Sequence, residues 1–139
     1  MPKEIIRSSN APAAVGPYSQ AVRAGAWVFV SGQIPLDPQT GAMATGTVQD
    51  QTRRVLENLR SVLEAAHLAL EDVVKVTVYL KDINDFAAMN EVYASFFASE
   101  PPARACIQAA RLPKDAAVEM DAVAWAGEEL PPAVGGFLV

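Results

Sequence analysis

The chain has 139 residues, the size of one domain, and can bury about two-thirds of its unfolded surface. Its net charge of −5 disfavours nucleic acid and anionic membrane surfaces as partners, because both repel an acidic protein. The single cysteine excludes an intrachain disulfide, and no apolar run approaches the roughly 20 residues of a membrane span. We therefore expect a cytoplasmic location.

The first quarter of the chain predicts a short strand, a loop and a hairpin. Residues 4–7 are β-prone, whereas prolines and glycines in residues 8–20 exclude a helix there. Residues 21–23 and 26–30 are predicted to be strands on either side of Gly25, and together they predict a hairpin. A rigid loop rich in proline and glycine is expected to follow.

Two amphipathic helices are predicted with a strand between them. Thr47 and Asp50 have the spacing of a capping box at the start of the first helix, residues 47–66. The strand VVKVTVYL should be central, with Val74 and every second residue after it facing the helices. Asn84 or Asp85 can cap the second helix. Its buried stripe should contain Phe86, Met89, Tyr93, Phe96 and Phe97.

The resulting order, β, ββ, α, β, α, β, β, predicts an α+β fold with one mixed six-stranded sheet. Each β-α-β passage implies parallel pairing with a right-handed crossover, so both helices should lie on one face of the sheet. Lys75, Thr77 and Tyr79 then lie on the other face, for which self-association is the simplest cover. Residues 1–127 form one domain, and residues 128–139 are a tail. That tail is either mobile or pinned by Phe137 and Leu138.

The segment PPARACIQAARLPKDAAVEMD carries the candidate chemistry. Arg104 and Cys106 share one face of a predicted strand, and Glu119 lies in an Ala-rich strand that follows. Arginine and glutamate are rarely buried unless they are paired or used, so their presence in two core-like strands predicts a site. Arg104 can bind a carboxylate through both arms of its guanidinium, or it can form an internal salt bridge with Glu119 or Asp121.

Each of the other candidate side chains has two possible roles or only a weak local signal. Glu119 is either a general base with a raised pKa or only the neutralising partner of Arg104. Cys106 has no obvious base, because the only histidine, His67, is predicted to lie at the C-terminus of a helix. We therefore favour Cys106 as a residue that lines the pocket over Cys106 as a nucleophile. Asn90 interrupts the apolar stripe and either ties down a loop or points into a site. Tyr18 and Ser31 carry hydroxyl groups in turn-like sequence contexts.

No metal or cofactor is expected. The chain has one His and one Cys, too few for a metal cluster of these residues, and it has no nucleotide-binding glycine motif.

Four segments together resemble the Rid family, the reactive intermediate deaminases. They are APAAVGPYSQAV, VSGQIPLDPQTG, LEDVVKVTVYLKDINDFAAMNEVYASFF and PPARACIQAARLPKDAAVEMDAVA. The resemblance runs from about Ile5 to Trp125 and is to the archetypal subgroup, whose last motif has an arginine, a cysteine and a glutamate. His67 departs from it, because a glycine is usual there.

The resemblance implies a chorismate-mutase-like fold, a homotrimer with clefts between subunits, and hydrolysis of short 2-imino acids and enamines. The implied substrates are 2-iminobutanoate and 2-iminopropanoate, released as 2-keto acids and ammonia without metal or cofactor. Arg104 would hold the substrate carboxylate, and Glu119 with Tyr18 would position and activate water. The pocket would be shaped by Ser31, Gly32, Asn90 and the backbone at Cys106.

Two other functions are compatible with these residues. A non-enzymatic regulatory trimer would use the same pocket to bind a keto or amino acid. A third hypothesis is a ribonuclease or translation inhibitor. The acidic composition and the single histidine argue against it.

Overall fold

Six strands and two helices form the described part of the chain. In this computed structural model, which describes residues 2–127, the α+β class with one mixed six-stranded sheet is confirmed. The strands are β1 Glu4–Ile6, β2 Ala21–Ala24, β3 Trp27–Gln33, β4 Val73–Leu80, β5 Ala103–Gln108 and β6 Val118–Trp125, and the helices are α1 Val48–Ala65 and α2 Phe86–Phe96. The predicted tail, with Phe137 and Leu138, lies outside the described residues. Within residues 2–127, no helix has the length and apolarity needed to cross a bilayer.

The strand order across the sheet is β1-β2-β3-β6-β4-β5. The β4-α2-β5 passage joins neighbouring parallel strands, as predicted. The earlier passage through α1 does not, because β6 lies between β3 and β4 and is antiparallel to both. The prediction of two parallel pairs was therefore wrong for one of them. Strand β6 takes this central place because one of its faces is fully apolar and buried, through Val118, Met120, Ala122 and Ala124.

Both helices pack on one face of the sheet, the helix-side face, and their apolar residues form a single core with it. The buried side chains of α1 include Val55, Leu59 and Leu63, at helical spacing. The predicted stripe of α2 needs one correction. Val92 is buried in it, whereas Phe86 is 39% exposed at the start of the helix.

Both ends of α1 follow from local sequence. Thr47 Oγ1 accepts from the Asp50 N–H (3.2 Å), and Asp50 Oδ2 accepts from the Thr47 N–H (3.0 Å), which confirms the predicted capping box. Beyond the C-terminus, His67 has a φ of 62°, and its N–H donates to the Glu64 carbonyl oxygen (2.9 Å). Glycine is favoured in this left-handed conformation, so His67 is strained there.

The opposite face of the sheet, the open face, is not covered by either helix. Thr77 and Tyr79 lie on it, as predicted, and Phe29 and Ile107 expose about half of their side-chain surface there. Val74, predicted to face the core, is 41% exposed, because the register between β4 and β6 shifts between Val73 and Lys75.

Candidate active site

Glu119 lies on the open face because the residues of β6 alternate between the two faces of the sheet. It pairs in register with Tyr79 of β4, and its carboxylate lies against Gly32 of β3. A Cβ on Gly32 would overlap Glu119 Oε2, so only glycine allows the carboxylate to approach this backbone so closely. Strand β3 continues through Ser31 and Gly32, past the predicted strand end, with a register irregularity between Val30 and Gln33.

The environment of Glu119 favours its protonated form. Burial and, to a lesser extent, the negative charge of Asp121 raise the pKa of the Glu119 carboxyl above its ordinary value. Asp121 Oδ2 accepts a hydrogen bond from the Tyr79 hydroxyl (2.9 Å). From the sequence, Asp121 was a candidate only as an ion-pair partner for Arg104. The structure pairs it with Tyr79 instead.

Tyr18 and Ser31 lie beside Gly32, the residue that the Glu119 carboxylate approaches. The Ser31 hydroxyl donates to the Ser19 carbonyl oxygen (2.5 Å), which fastens the segment that carries Tyr18 to β3. Tyr18 is 48% exposed and lines a hollow of about 40 Å³ together with Gly32 and Gln33. We name Tyr18, Ser31, Gly32 and Glu119 the carboxylate cluster. The structure thus brings four of the predicted site residues together.

Gln20 supports this cluster and was missed by sequence reasoning. Its side chain is buried, and Oε1 accepts from the Ser8 N–H (2.7 Å) while Nε2 donates to the Pro12 carbonyl oxygen (2.8 Å). These bonds hold the loop of residues 8–20 against β2. A glutamine between a loop and a strand carries no distinctive sequence signal, so only the fold reveals its role.

Arg104 lies on the helix-side face of β5. The parallel register pairs it with Val76 of β4, which belongs to the core. Its Nη1 donates to Asn90 Oδ1 (2.6 Å), and its Cζ lies 4.7 Å from the ring centroid of Tyr93 and 5.4 Å from that of Phe86. Asn90 was predicted either to tie down a loop or to point into a site. Its bond to Arg104 agrees with the second role. From the sequence, Phe86 and Tyr93 were expected only in the core stripe of α2.

Cys106 follows Arg104 on the same face and packs against the core. Burial raises the pKa of the Cys106 thiol, although the positive charge of Arg104 opposes that shift. A raised pKa leaves little thiolate at neutral pH, so the geometry favours a wall residue over a nucleophile. We name Phe86, Asn90, Tyr93, Arg104 and Cys106 the guanidinium cluster.

The two clusters lie on opposite faces of one sheet. Of the two alternatives for Arg104, the internal ion pair with Glu119 or Asp121 is therefore excluded, since neither carboxylate is on the face that Arg104 occupies. The description of β5 as core-like is wrong: β5 is the edge strand, and Ala103, Ala105 and Ile107 on it are exposed. Among residues 2–127, no three His, Cys, Asp or Glu side chains converge as metal ligands would.

Comparison with known proteins gives consistent matches over nearly all of the described chain. The family model described as Endoribonuclease L-PSP matches residues 8–126. A RutC family protein of Pyrococcus horikoshii is 56% identical over 123 residues, which cover 88% of this chain and 98% of the relative. A Salmonella typhimurium protein named 2-iminobutanoate/2-iminopropanoate deaminase is 51% identical over 122 residues, covering 86% of this chain and 94% of the relative.

The fold has a close experimental counterpart. The crystal structure of Escherichia coli TdcF with bound serine superposes with a TM-score of 0.84 and 49% identity. The superposition covers 88% of this chain and 98% of that one. Sequence and structure comparisons therefore each cover most of the chain.

Proposed function

The chain belongs to the Endoribonuclease L-PSP family, which contains the reactive intermediate deaminases, and we propose on that premise that it hydrolyses short 2-imino acids. The substrates are 2-iminobutanoate and 2-iminopropanoate with their enamine tautomers, and the products are 2-keto acids and ammonia. The proposal rests on one observation, the hydrogen bonding of the Arg104 guanidinium. Asn90 accepts from Nη1, whereas no acceptor among residues 2–127 takes a hydrogen bond from Nε or Nη2. A guanidinium edge is therefore left to bind a planar carboxylate.

The proposal requires more than one copy of the chain. Arg104 and Glu119 cannot both reach one small substrate within a protomer, because the sheet lies between them. We propose a homotrimer of the chorismate-mutase-like type, in which the open faces are covered. In a closed ring, each interface joins two different surfaces of the chain. Every interface can then combine the guanidinium cluster of one subunit with the carboxylate cluster of the next.

The chemistry follows from the substrate. Arg104 holds the carboxylate, and the imine carbon is already electrophilic, so the proposal includes no metal or cofactor. Glu119 accepts a proton from water as the water oxygen bonds to the imine carbon, the C=N π electrons move to nitrogen, and Glu119 gives that proton to the nitrogen. The hydroxyl proton of the resulting carbinolamine is then transferred to the nitrogen, the C=O bond forms as the C–N bond breaks, and ammonia leaves. General base catalysis of this kind contributes about 10² to 10⁴-fold.

The remaining site residues have supporting roles. Tyr18 helps to position the water, and Ser31 and Gly32 shape the pocket beside Glu119, as do Asn90 and the Cys106 backbone beside Arg104. A chain with one thiol fits a reducing compartment, and the cytoplasm is the proposed location.

The test is a coupled assay in which a threonine dehydratase generates 2-iminobutanoate in the presence of the purified protein. Wild type should accelerate release of 2-oxobutanoate and ammonia, and Arg104→Ala should abolish that acceleration while light scattering still shows a trimer. Tight binding of 2-oxobutanoate without acceleration would favour the regulatory trimer. RNA cleavage that survives Arg104→Ala and Glu119→Gln would favour the ribonuclease.

A further inference from the structure

Helix α2 presents three side chains to the Arg104 guanidinium. Phe86, Asn90 and Tyr93 are spaced i, i+4 and i+7, so they lie along one stripe of the helix. The Arg104 Cζ is 4.7 Å from the Tyr93 ring centroid and 5.4 Å from the Phe86 centroid, both within the roughly 6 Å range of a cation–π interaction. The guanidinium is therefore held by two aromatic rings as well as by an amide.

Tyr93 contributes its ring rather than its hydroxyl. The side chain is only 6% exposed, and its phenolic oxygen has no hydrogen-bond partner among residues 2–127. Burial raises the pKa of Tyr93 to about 12, with the Arg104 charge opposing the shift, so the phenol is neutral at physiological pH. Phe97 packs on the ring with centroids 4.7 Å apart, which limits the ring's motion.

This arrangement decides which edge of the guanidinium is available. Asn90 engages Nη1, and the rings lie below the guanidinium carbon, so the Nε and Nη2 atoms are left on one edge. Two parallel N–H groups on one edge match the two oxygens of a carboxylate better than an amide or ester. A guanidinium free to rotate would lose that match.

We propose that Tyr93, with Phe86 as a weaker second contact, is a positioning residue that fixes the Arg104 guanidinium so that its Nε–Nη2 edge receives the substrate carboxylate. The proposal rests on the proposed function and adds a determinant of substrate class: it explains why a free carboxylate is required. It concerns binding that is equal in the ground state and the transition state. Loss of the ring should therefore act on KM and not on kcat.

The primary test compares Tyr93→Leu with Tyr93→Phe in the coupled assay. Tyr93→Leu should raise KM about 5 to 30-fold and leave kcat within about twofold. Tyr93→Phe keeps the ring and should keep the wild-type KM. Its melting temperature should be unchanged or higher, because it removes a buried hydroxyl that has no partner. A purely structural role would instead lower the melting temperature of the Leu variant without changing its KM.

A second pair of variants avoids the buried position. Phe86→Leu changes a partly exposed ring and should raise KM about 2 to 5-fold. Phe96→Leu is the matched control, since Phe96 is on the same helix but lies 5.4 Å from the Cζ of Arg60 instead. Its KM should equal that of wild type.

The outcomes separate this inference from the proposed function. An active wild type with unchanged KM in both Tyr93→Leu and Phe86→Leu overturns the role of the rings, as does an equal KM rise in Phe96→Leu. If wild type binds 2-oxobutanoate by titration calorimetry but is inactive, the proposed function fails. The Kd values then decide the role of the rings: weaker binding by Tyr93→Leu supports it, and equal binding overturns it. A wild type that neither reacts nor binds overturns both.

Discussion

Arg104 and Glu119 lie on opposite faces of the same sheet, although only strand β4 separates the strands that carry them. Arg104 pairs with Val76, whose side chain is in the core under the helices, whereas Glu119 pairs with Tyr79 on the open face. Since the proposed reaction needs both groups on one substrate, each reaction centre must combine two subunits.

Mixing two inactive variants tests this division of the site. Arg104→Ala and Glu119→Gln should each lose activity alone, by at least about 100-fold. When equal amounts are unfolded together and refolded, a random trimer has an intact Arg104 facing an intact Glu119 at about one quarter of its interfaces. The measurement is kcat per subunit, expected near one quarter of the wild-type value. Recovery near zero, with mixed trimers demonstrated by mass spectrometry, would place both residues in one protomer.

The pH profile should reveal the influence of Asp121 on Glu119. Glu119 must be ionised to act as a base, so kcat/KM falls as the pH drops through its raised pKa. Asp121→Asn removes the neighbouring negative charge and should shift this acidic limb to lower pH, while the larger effect of burial persists. Glu57→Gln makes the same change of charge on α1, where Glu57 pairs with Arg54, and should leave the limb in place. A shift to higher pH in Asp121→Asn would contradict the assignment of Glu119 as the base.

Gly32→Ala should impair the reaction without unfolding the chain. Gly32 does not have a positive φ, so alanine fits its backbone, but the new Cβ would displace the Glu119 carboxylate. A displacement of about 1 Å can reduce a rate about 100-fold, and we expect a loss of kcat of that order. Gly25→Ala is the control, because Gly25 has a φ of 62° and nothing within 4 Å of its Cβ position. It should lower stability by about 1 kcal/mol and leave kcat unchanged. A normal kcat for Gly32→Ala would remove Glu119 from the mechanism.

His67→Gly should stabilise the protein. His67 has the left-handed conformation that follows α1, where glycine relieves strain by roughly 1 kcal/mol, partly offset by the greater freedom of glycine in the unfolded chain. We expect the free energy of unfolding in urea to rise by about 0.5 kcal/mol. His67→Ala keeps the strained backbone and should show no such gain. An unchanged or lower stability for His67→Gly would indicate that the imidazole itself makes a stabilising contact.

Local patterns in the sequence were sufficient for most elements and for the facing of residues within each strand. The capping box at Thr47 and the shared face of Arg104 and Cys106 are both present, because each depends on residues a few positions apart. The relation between Arg104 and Glu119 could not be obtained in this way. It depends on the registers of β5 and β6 against β4, which are set by packing between distant segments.

The same limit explains the other corrections. Val74 is not in the predicted core, because a register irregularity between β4 and β6 changes which residues face the helices. The ring contacts of Phe86 and Tyr93 with Arg104 join α2 to β5, and apolar spacing alone assigns aromatic residues to a core. Local context made Tyr18 and Ser31 only weak candidates, and the family resemblance added Gly32 and gave all three a place in the predicted site.

The central position of β6 has a consequence for biosynthesis. Residues 118–125 fill the gap between β3 and β4, so a nascent chain on the ribosome cannot complete its sheet until this late segment has emerged. Until then, two strands with apolar faces have unpaired backbone edges that can join other chains. Chaperone binding during translation should therefore be strongest for ribosome-bound intermediates that lack these eight residues.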